Sequence, residues 1–214
     1  MNTQEKIATF FARGKNTFYA RGSTIILAGE QPPGVMYITR GIVEQYDATA
    51  GGDKVTVNVF RAGAFLPMSW AITNTPNTFF FAAYTDVSAQ LVDAMAAVTF
   101  LKSNSDVMYD LLRRVYIGTD ALLHRLALAA HSPACDRLSN ELLIEAYRFG
   151  TALSATENRI RITHAALAER SGLTRETVSR ELHQLAKIGL IRLSRQSIDI
   201  DIKQLEEFTT REIS

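Results

Sequence analysis

The sequence has a single cysteine, Cys135, in 214 residues. One thiol forms no intramolecular disulfide. It also excludes sites built from several thiolates, such as a four-cysteine iron–sulfur cluster or structural zinc. No apolar run approaches the roughly 18 residues that read as a membrane span. The opening stretch, MNTQEKIATFFARGKN, lacks the basic flank, apolar segment and small-residue cleavage site of a secretory signal. These absences lead to the expectation of a cytoplasmic protein that contacts no membrane. An excess of one charge is missing too, since 23 Lys and Arg against 22 Asp and Glu leave +1. Taken whole, that balance speaks against a strongly basic nucleic-acid binder. The 47% hydrophobic and 21% charged residues are ordinary for a folded protein of one large or two smaller domains.

The pattern along the chain changes near residue 100. Short strands are expected at Thr24–Leu27, Val35–Thr39, Ile42–Tyr46, Val55–Phe60, Phe79–Tyr84 and Val87–Val92. Their spacing, punctuated by glycines and prolines, points to a sandwich or barrel. Gly51-Gly52 is expected to make a hairpin turn. Pro32 and Pro33 cannot both sit in a central strand, because each removes a ladder donor. From about Asn104 apolar residues recur at three-and-four spacing: Met108, Leu111, Leu112, Val115, Leu122, Leu126 and Ala129. A helix over 104–130 would be on the order of 40 Å long at about 1.5 Å per residue. That length suits a spine pairing with its copy in a second subunit; packing on its own domain alone is the competing reading. Gly118 on it costs roughly 1 kcal/mol of helix propensity and permits close helix approach. Pro133 ends the spine. A further amphipathic helix over Asp136–Phe149, a loop over Thr151–Asn158 and a short strand over Arg159–Ile162 are expected next.

Residues 163–202 carry the chemistry. Thr163 is suited to cap a helix over His164–Ser171; Gly172 supplies the left-handed conformation of a tight turn, and Thr174 caps a second helix from Arg175 to about Ile188. Val178, Leu182 and Leu185 form its buried face, and Glu176 lies in its first turn, where negative charge is favoured. Helix, glycine turn, helix is the helix-turn-helix pattern. Leu190–Leu193 and Ile198–Ile202 alternate around a polar turn containing Arg195, which adds a β wing. From Arg159 to Arg195 eight basic residues face three acids, a local balance of +5 hidden inside the chain's +1. Such residues neutralise phosphates and give salt-sensitive, sequence-independent affinity. A solvated basic face, or a winged helix used for protein contacts, is the bland alternative.

The segment ITHAALAERSGLTRETVSRELHQLAKIGLI resembles the DNA-binding domain of the cyclic-AMP receptor protein and fumarate–nitrate regulator (CRP/FNR) family of bacterial transcription factors. Weaker pieces extend the resemblance over nearly the whole chain: Gly22-x-x-Ile25, Gly29-Glu30, Tyr37-Ile38-x-x-Gly41 and Gly63-x-Phe65. It implies an α+β protein. The expected parts are a cyclic-nucleotide-binding-like β-roll (jelly roll) over 1–100, a dimerisation helix over 101–132 and a winged helix-turn-helix over 133–214. The family's recognition helix opens with an Arg-Glu pair and has an Arg four residues after the Glu. Arg175, Glu176 and Arg180 stand at the matching places, with Ser179 beside them. Arginine can fork onto guanine O6 and N7, and glutamate can accept from cytosine N4. Glu176 as a cap and Arg180 as a solvated charge are the competing roles. Thr163, His164, Thr174, Arg192 and Arg195 are expected on phosphates. The implied partners are double-stranded DNA, a second copy of the chain and, for an activator, RNA polymerase. The implied operator is a palindrome of TGTGA-like half-sites.

The family's nucleotide pocket is not matched. Its glutamate for the ribose falls on Pro67, and its phosphate-pairing arginine falls in Asn77–Phe81, where no Arg or Lys occurs between Arg61 and Lys102. Its adenine-contacting Thr-Ser pair falls on Leu122 and Leu123. Binding of cyclic AMP in the usual mode is therefore not expected. An aromatic patch, Trp70, Phe79, Phe80, Phe81 and Tyr84, is either core or the lining of an apolar effector pocket, with Arg113 and Tyr116 offering polar groups. All four histidines, His124, His131, His164 and His183, lie beyond the roll, which excludes a His-ligated metalloenzyme there. His124 and His131, one heptad apart, raise haem ligation against the commoner role of seam histidines. Cys135 raises redox sensing against a small buried residue. No nucleophile–base–acid set or phosphate loop supports an enzyme, and no cofactor is called for. A protein-interaction module with a structural wing is the alternative function.

Overall fold

A computed structural model describes residues 2–48 and 54–211, apart from the side chains of 128–131, 210 and 211. The expected Gly51-Gly52 turn lies outside the described residues. The chain forms two compact units, Met1–Val115 and Tyr116–Ser214.

The first unit opens with helix α1 (Thr3–Phe11), which the strand pattern does not reveal. A capping box starts it: Asn2 Oδ1 accepts from the Glu5 N–H at 2.8 Å, and a Glu5 carboxylate oxygen accepts from the Asn2 N–H at 2.8 Å. Strands β1 (Lys15–Tyr19), β2 (Thr24–Ile26), β3 (Val35–Arg40), β4 (Ile42–Ala48), β5 (Lys54–Arg61) and β6 (Phe65–Leu66) follow. Then come helix α2 (Met68–Thr73) and strands β7 (Phe80–Ala83) and β8 (Val87–Val92). Two four-stranded antiparallel sheets result, ordered β1-β8-β3-β6 and β2-β7-β4-β5. Alternate residues meet between them: Met36 and Ile38 from β3, Val43 from β4, Phe81 and Ala83 from β7, Val87 and Ala89 from β8. Gly41 joins β3 to β4 at φ 94°, and a Cβ there would lie 2.1 Å from the Asp86 carbonyl oxygen, so only glycine fits.

The outer face of the first sheet is covered by α1, α3 (Ala94–Ser103) and the start of α4 (Ser105–His131), through Ile7, Phe11, Val35, Ala97, Leu101 and Val107. Lys6 and Thr3 fasten α1 to Asp106 of α4 at 2.9 and 3.1 Å. Helix α4 has the length that the periodicity predicts. Along it Met108, Leu112, Val115, Leu122 and Leu126 are exposed.

The second unit contains the rest of α4, α5 (Ala134–Phe149), β9 (Thr151–Ala152), β10 (Glu157–Ile160), α6 (His164–Ser171), α7 (Arg175–Lys187), β11 (Ile191–Leu193), β12 (Ile198–Asp201) and α8 (Ile202–Arg211). Its core joins Leu138 and Leu142 of α5, Leu167 of α6, Val178, Leu182 and Leu185 of α7, Ile200 of β12 and Leu205 of α8. Three corrections concern its strands. The expected strand at Arg159–Ile162 runs instead from Glu157 to Ile160, pairing with β12, and the preceding stretch is not all loop, because Thr151–Ala152 pairs with β10. The second wing strand stops at Asp201; Ile202 opens α8, whose first turn Asp201 supports by accepting from the Gln204 N–H at 3.0 Å.

Candidate nucleic-acid interface

Helices α6 and α7 start as their capping residues require. Thr163 Oγ1 accepts from the Ala166 N–H at 3.1 Å, and Thr174 Oγ1 from the Thr177 N–H at 3.2 Å. Gly172 ends α6 at φ 65°, and the Leu173 N–H returns to the Ala168 carbonyl at 3.1 Å. Leu173 packs on the core. The turn thus fixes one face of α7: Val178, Glu181, Leu182 and Leu185 point inward. Arg175, Glu176 and Arg180 are exposed on the other side and Ser179 is half-buried. Four residues expected on bases are therefore brought together at the exposed start of one helix.

Charge on this surface differs from the +5 that counting suggests. Arg170 is buried against Glu145 of α5. Arg159 forks onto Asp199 at 2.7 and 2.8 Å. Arg192, expected on phosphate, forks onto Glu157 at 2.8 and 3.2 Å and stands 3.8 Å from Asp199. Arg180 donates to Glu181 at 3.0 Å. Arg161, Arg175, Lys187 and Arg195 are exposed and make no ion pair among the described residues. Glu145, Glu157 and Asp199 fall outside the 159–195 window, so a linear count misses them. A sequence signal for Asp199 does exist: antiparallel register sets it opposite both Arg159 and Arg192. The Arg159 guanidinium holds the Asp199 carboxyl below the usual carboxylate range.

His164 opens α6, half-buried. Burial first, then the charges of Arg175 and His183, push its imidazole below the ordinary value. His183 is exposed one turn beyond Ser179, with Nδ1 2.7 Å from the Ser179 carbonyl oxygen. His124 is exposed, and the side chain of His131 is outside the described residues. Cys135 packs at the edge of the core. No group of three or more His, Cys, Asp or Glu among the described residues is placed to hold a metal ion. No helix among them is long and apolar enough to cross a membrane.

The aromatic residues of the roll do not share one face. Phe81 points into the sandwich, and Phe79 packs against the same core. Phe80 points the other way and stacks on Tyr46 at 5.2 Å, while Trp70 and Tyr84 are half-buried. Strand alternation separates Phe80 from Phe81, so the two line no common wall. On α4, Arg113 pairs with Asp110 at 3.5 Å, while Tyr116, Leu122 and Leu123 are exposed. Pro67 is buried just before α2. Asn77 is buried as well, and its amide nitrogen is taken up by the carbonyls of Leu27 and Phe79 at 3.1 and 2.7 Å.

A β-roll, a long helix and a winged helix-turn-helix define a class of DNA-binding proteins. Family profiles agree: a cyclic nucleotide-binding domain matches residues 16–104 and a Crp-like helix-turn-helix domain residues 136–208. The global nitrogen regulator of Nostoc sp. is 26% identical over 188 residues, covering 85% of this chain and 83% of its own. That of Synechocystis sp. is 24% identical over 188 residues, covering 85% of this chain and 82% of its own. A CRP/FNR-family transcriptional regulator from Thermus thermophilus superposes with a TM-score of 0.65 at 22% identity, covering 92% of this chain and 98% of its own. A CooA variant from Carboxydothermus hydrogenoformans gives 0.74 at 17% identity, covering 94% and 90%. The chain belongs to the CRP/FNR family of DNA-binding transcription regulators.

Proposed function

We propose that the protein is a cytoplasmic homodimer that binds an inverted repeat of TGTGA-like half-sites and does not answer to cyclic AMP in the usual mode. The observation that carries this reading is the exposed start of α7, where Arg175, Glu176, Ser179 and Arg180 stand together. Arg175 and Arg180 fork onto guanines, Glu176 accepts from a cytosine, and Ser179 adapts to its neighbours. Thr163, His164, Thr174, Arg192 and Arg195 hold the phosphates and set the register, Arg192 after exchanging Glu157 for DNA. By role the chain divides into a sensory roll (1–100), a dimerisation helix (101–132) and a DNA-binding head (133–214).

Exposed apolar residues on α4 support the dimer. Met108, Leu112, Val115, Leu122 and Leu126 follow heptad spacing, with Tyr109, Tyr116 and Leu123 beside them. Tyr116, Leu122 and Leu123 are assigned to this seam rather than to an effector. Two recognition helices then enter successive major grooves about 34 Å apart. Pro67, the cation-free stretch from Arg61 to Lys102 and the occupied Asn77 amide support the absence of a cyclic-phosphate site. An effector of apolar character would meet the half-buried Trp70 or Tyr84 of the roll, because Phe79 and Phe81 are taken up by its core. When the regulator acts as an activator, RNA polymerase is its partner.

Selection of binding sites from random DNA tests the proposal. Inverted repeats with guanines at the positions of Arg175 and Arg180 are expected, and Arg180→Ala should abolish the preference at one base pair. Enrichment of sites without inverted symmetry would overturn it. Cyclic AMP at millimolar concentration should leave operator affinity unchanged.

A further inference from the structure

The structure assigns to Glu181 the role of a buttress that aims Arg180 at its base. Glu181 lies on the inward side of α7, and its side chain is 8% exposed, whereas that of Arg180 is 63% exposed. The only hydrogen-bond or ion-pair partner of Glu181 among the described residues is Arg180. Leaving this buried carboxylate without its counter-charge would be strongly unfavourable. The pairing is therefore retained when DNA arrives, and the geometry permits this. Glu181 Oε1 accepts from Nε at 3.0 Å and lies 3.0 Å from Nη2, so one edge of the guanidinium is taken. Arginine has five donors in a planar fork. Nη1 and the outward hydrogen of Nη2 remain, and that end of the fork matches O6 and N7 of guanine.

A free arginine samples many rotamers and must be ordered on binding. One clamped on its Nε edge arrives ordered, and a clamped plane rejects bases that do not offer two acceptors. Glu181 is thus a positioning residue for specificity and not a DNA contact. Glu176, earlier on the same helix, differs: it is exposed at the start of the helix and itself reaches a base. Because Glu181 carries negative charge near DNA, its benefit falls on the correct base pair alone. On non-specific DNA it contributes only repulsion.

The inference rests on Arg180 as a base-reading residue, and the test separates the two. Full-length protein is titrated with the selected operator, with the same operator changed at the Arg180 guanine, and with unrelated duplex. Wild type should prefer the intact operator. Glu181→Gln, which keeps shape but weakens the clamp, should lose roughly tenfold of the discrimination at that base pair, and hold unrelated duplex as tightly as before or slightly tighter. In an Arg180→Ala background, Glu181→Gln should change discrimination no further. Discrimination unchanged by Glu181→Gln while Arg180→Ala abolishes it would overturn the buttress. So would an equal rise in affinity for every duplex, which would mark Glu181 as a mere competitor of DNA. If Arg180→Ala itself leaves discrimination intact, the base-reading assignment falls, and the buttress with it. Hydrogen exchange across α7 confirms that each variant is folded; should Glu181→Gln fail this check, Glu181→Met, which removes the charge and fills the space, supplies the same readout.

Discussion

Both compact units bury carboxylates, but they surround them differently. In the roll, Glu44 of β4 accepts from Lys54 and Thr56, both on the neighbouring strand β5. All three groups belong to one pair of adjacent strands, and Lys54 is still 39% exposed. In the second unit, Glu141 and Glu145 project from α5 and meet arginines from other helices. Arg125 of α4 forks onto Glu141 at 2.7 and 2.8 Å, and Arg170 of α6 reaches Glu145. Lysine offers a point charge that water shares, whereas the arginine fork ties separate elements in fixed orientation. The roll thus neutralises its buried carboxylate from the neighbouring strand alone, within a sandwich whose interior is apolar. The second unit pairs Asp199 within its sheet but also uses charge to fasten α4, α5 and α6 to one another.

Breaking one fork should have the largest effect. Arg125→Ala removes both hydrogen bonds that hold the buried Glu141 and leaves it only the charge of Arg148, so a loss of about 3 kcal/mol is expected for the second unit. Urea unfolding followed by circular dichroism, with hydrogen exchange to locate the loss in α5, measures it. A loss below about 1 kcal/mol would show the fork to be ornamental.

The corresponding change in the roll should be milder. Glu44→Gln keeps an acceptor for Thr56 and loses only the charge that holds Lys54. About 1–2 kcal/mol is expected, read from the unfolding of the roll through Trp70 fluorescence. A cost equal to that of Arg125→Ala would erase the distinction between the two units. Smaller again, Thr174→Ala removes the cap of α7 at about 1 kcal/mol. Its signature should be faster exchange at the first turn of α7, with the roll untouched.

The two units also differ in how openly the sequence displays them. Helices α6 and α7 are readable because capping threonines, a glycine turn and a three-four apolar face are local features, each fixed by a few adjacent residues. Strands β3, β4, β5, β7 and β8 are readable for the same reason. Strand β1 shows no clean alternation, with Phe18 exposed, and is defined only by its pairing with β8. Helices α1 and α3 are hidden because their apolar residues pack on a sheet face distant in sequence. At the candidate interface, the residue types at the start of α7 are legible, but their ion-pair partners are not. Glu145 and Glu157 are 25 and 35 positions from the arginines they hold. A net charge along the chain therefore cannot say which cations are free to meet phosphate.

The weakest effect expected concerns pH, and it carries opposite signs for folding and for binding. Burial, and then Arg175 and His183, lower His164 from its ordinary value of 6.5 in the folded chain. Between the folded value and 6.5 the unfolded chain binds more protons, so stability rises with pH across that interval. The contribution is complete above about pH 6.5 and is lost as pH falls through the folded value. A phosphate beside His164 reverses the preference, because an adjacent anion favours the imidazolium. DNA binding would then take up protons, and operator affinity should strengthen as pH falls from about 7.5 to 5.5 while the free protein becomes slightly less stable. His164→Gln should flatten both profiles together. Flattening of the stability profile alone would keep His164 in the head's folding and remove it from the phosphate contacts, where Arg195 would remain.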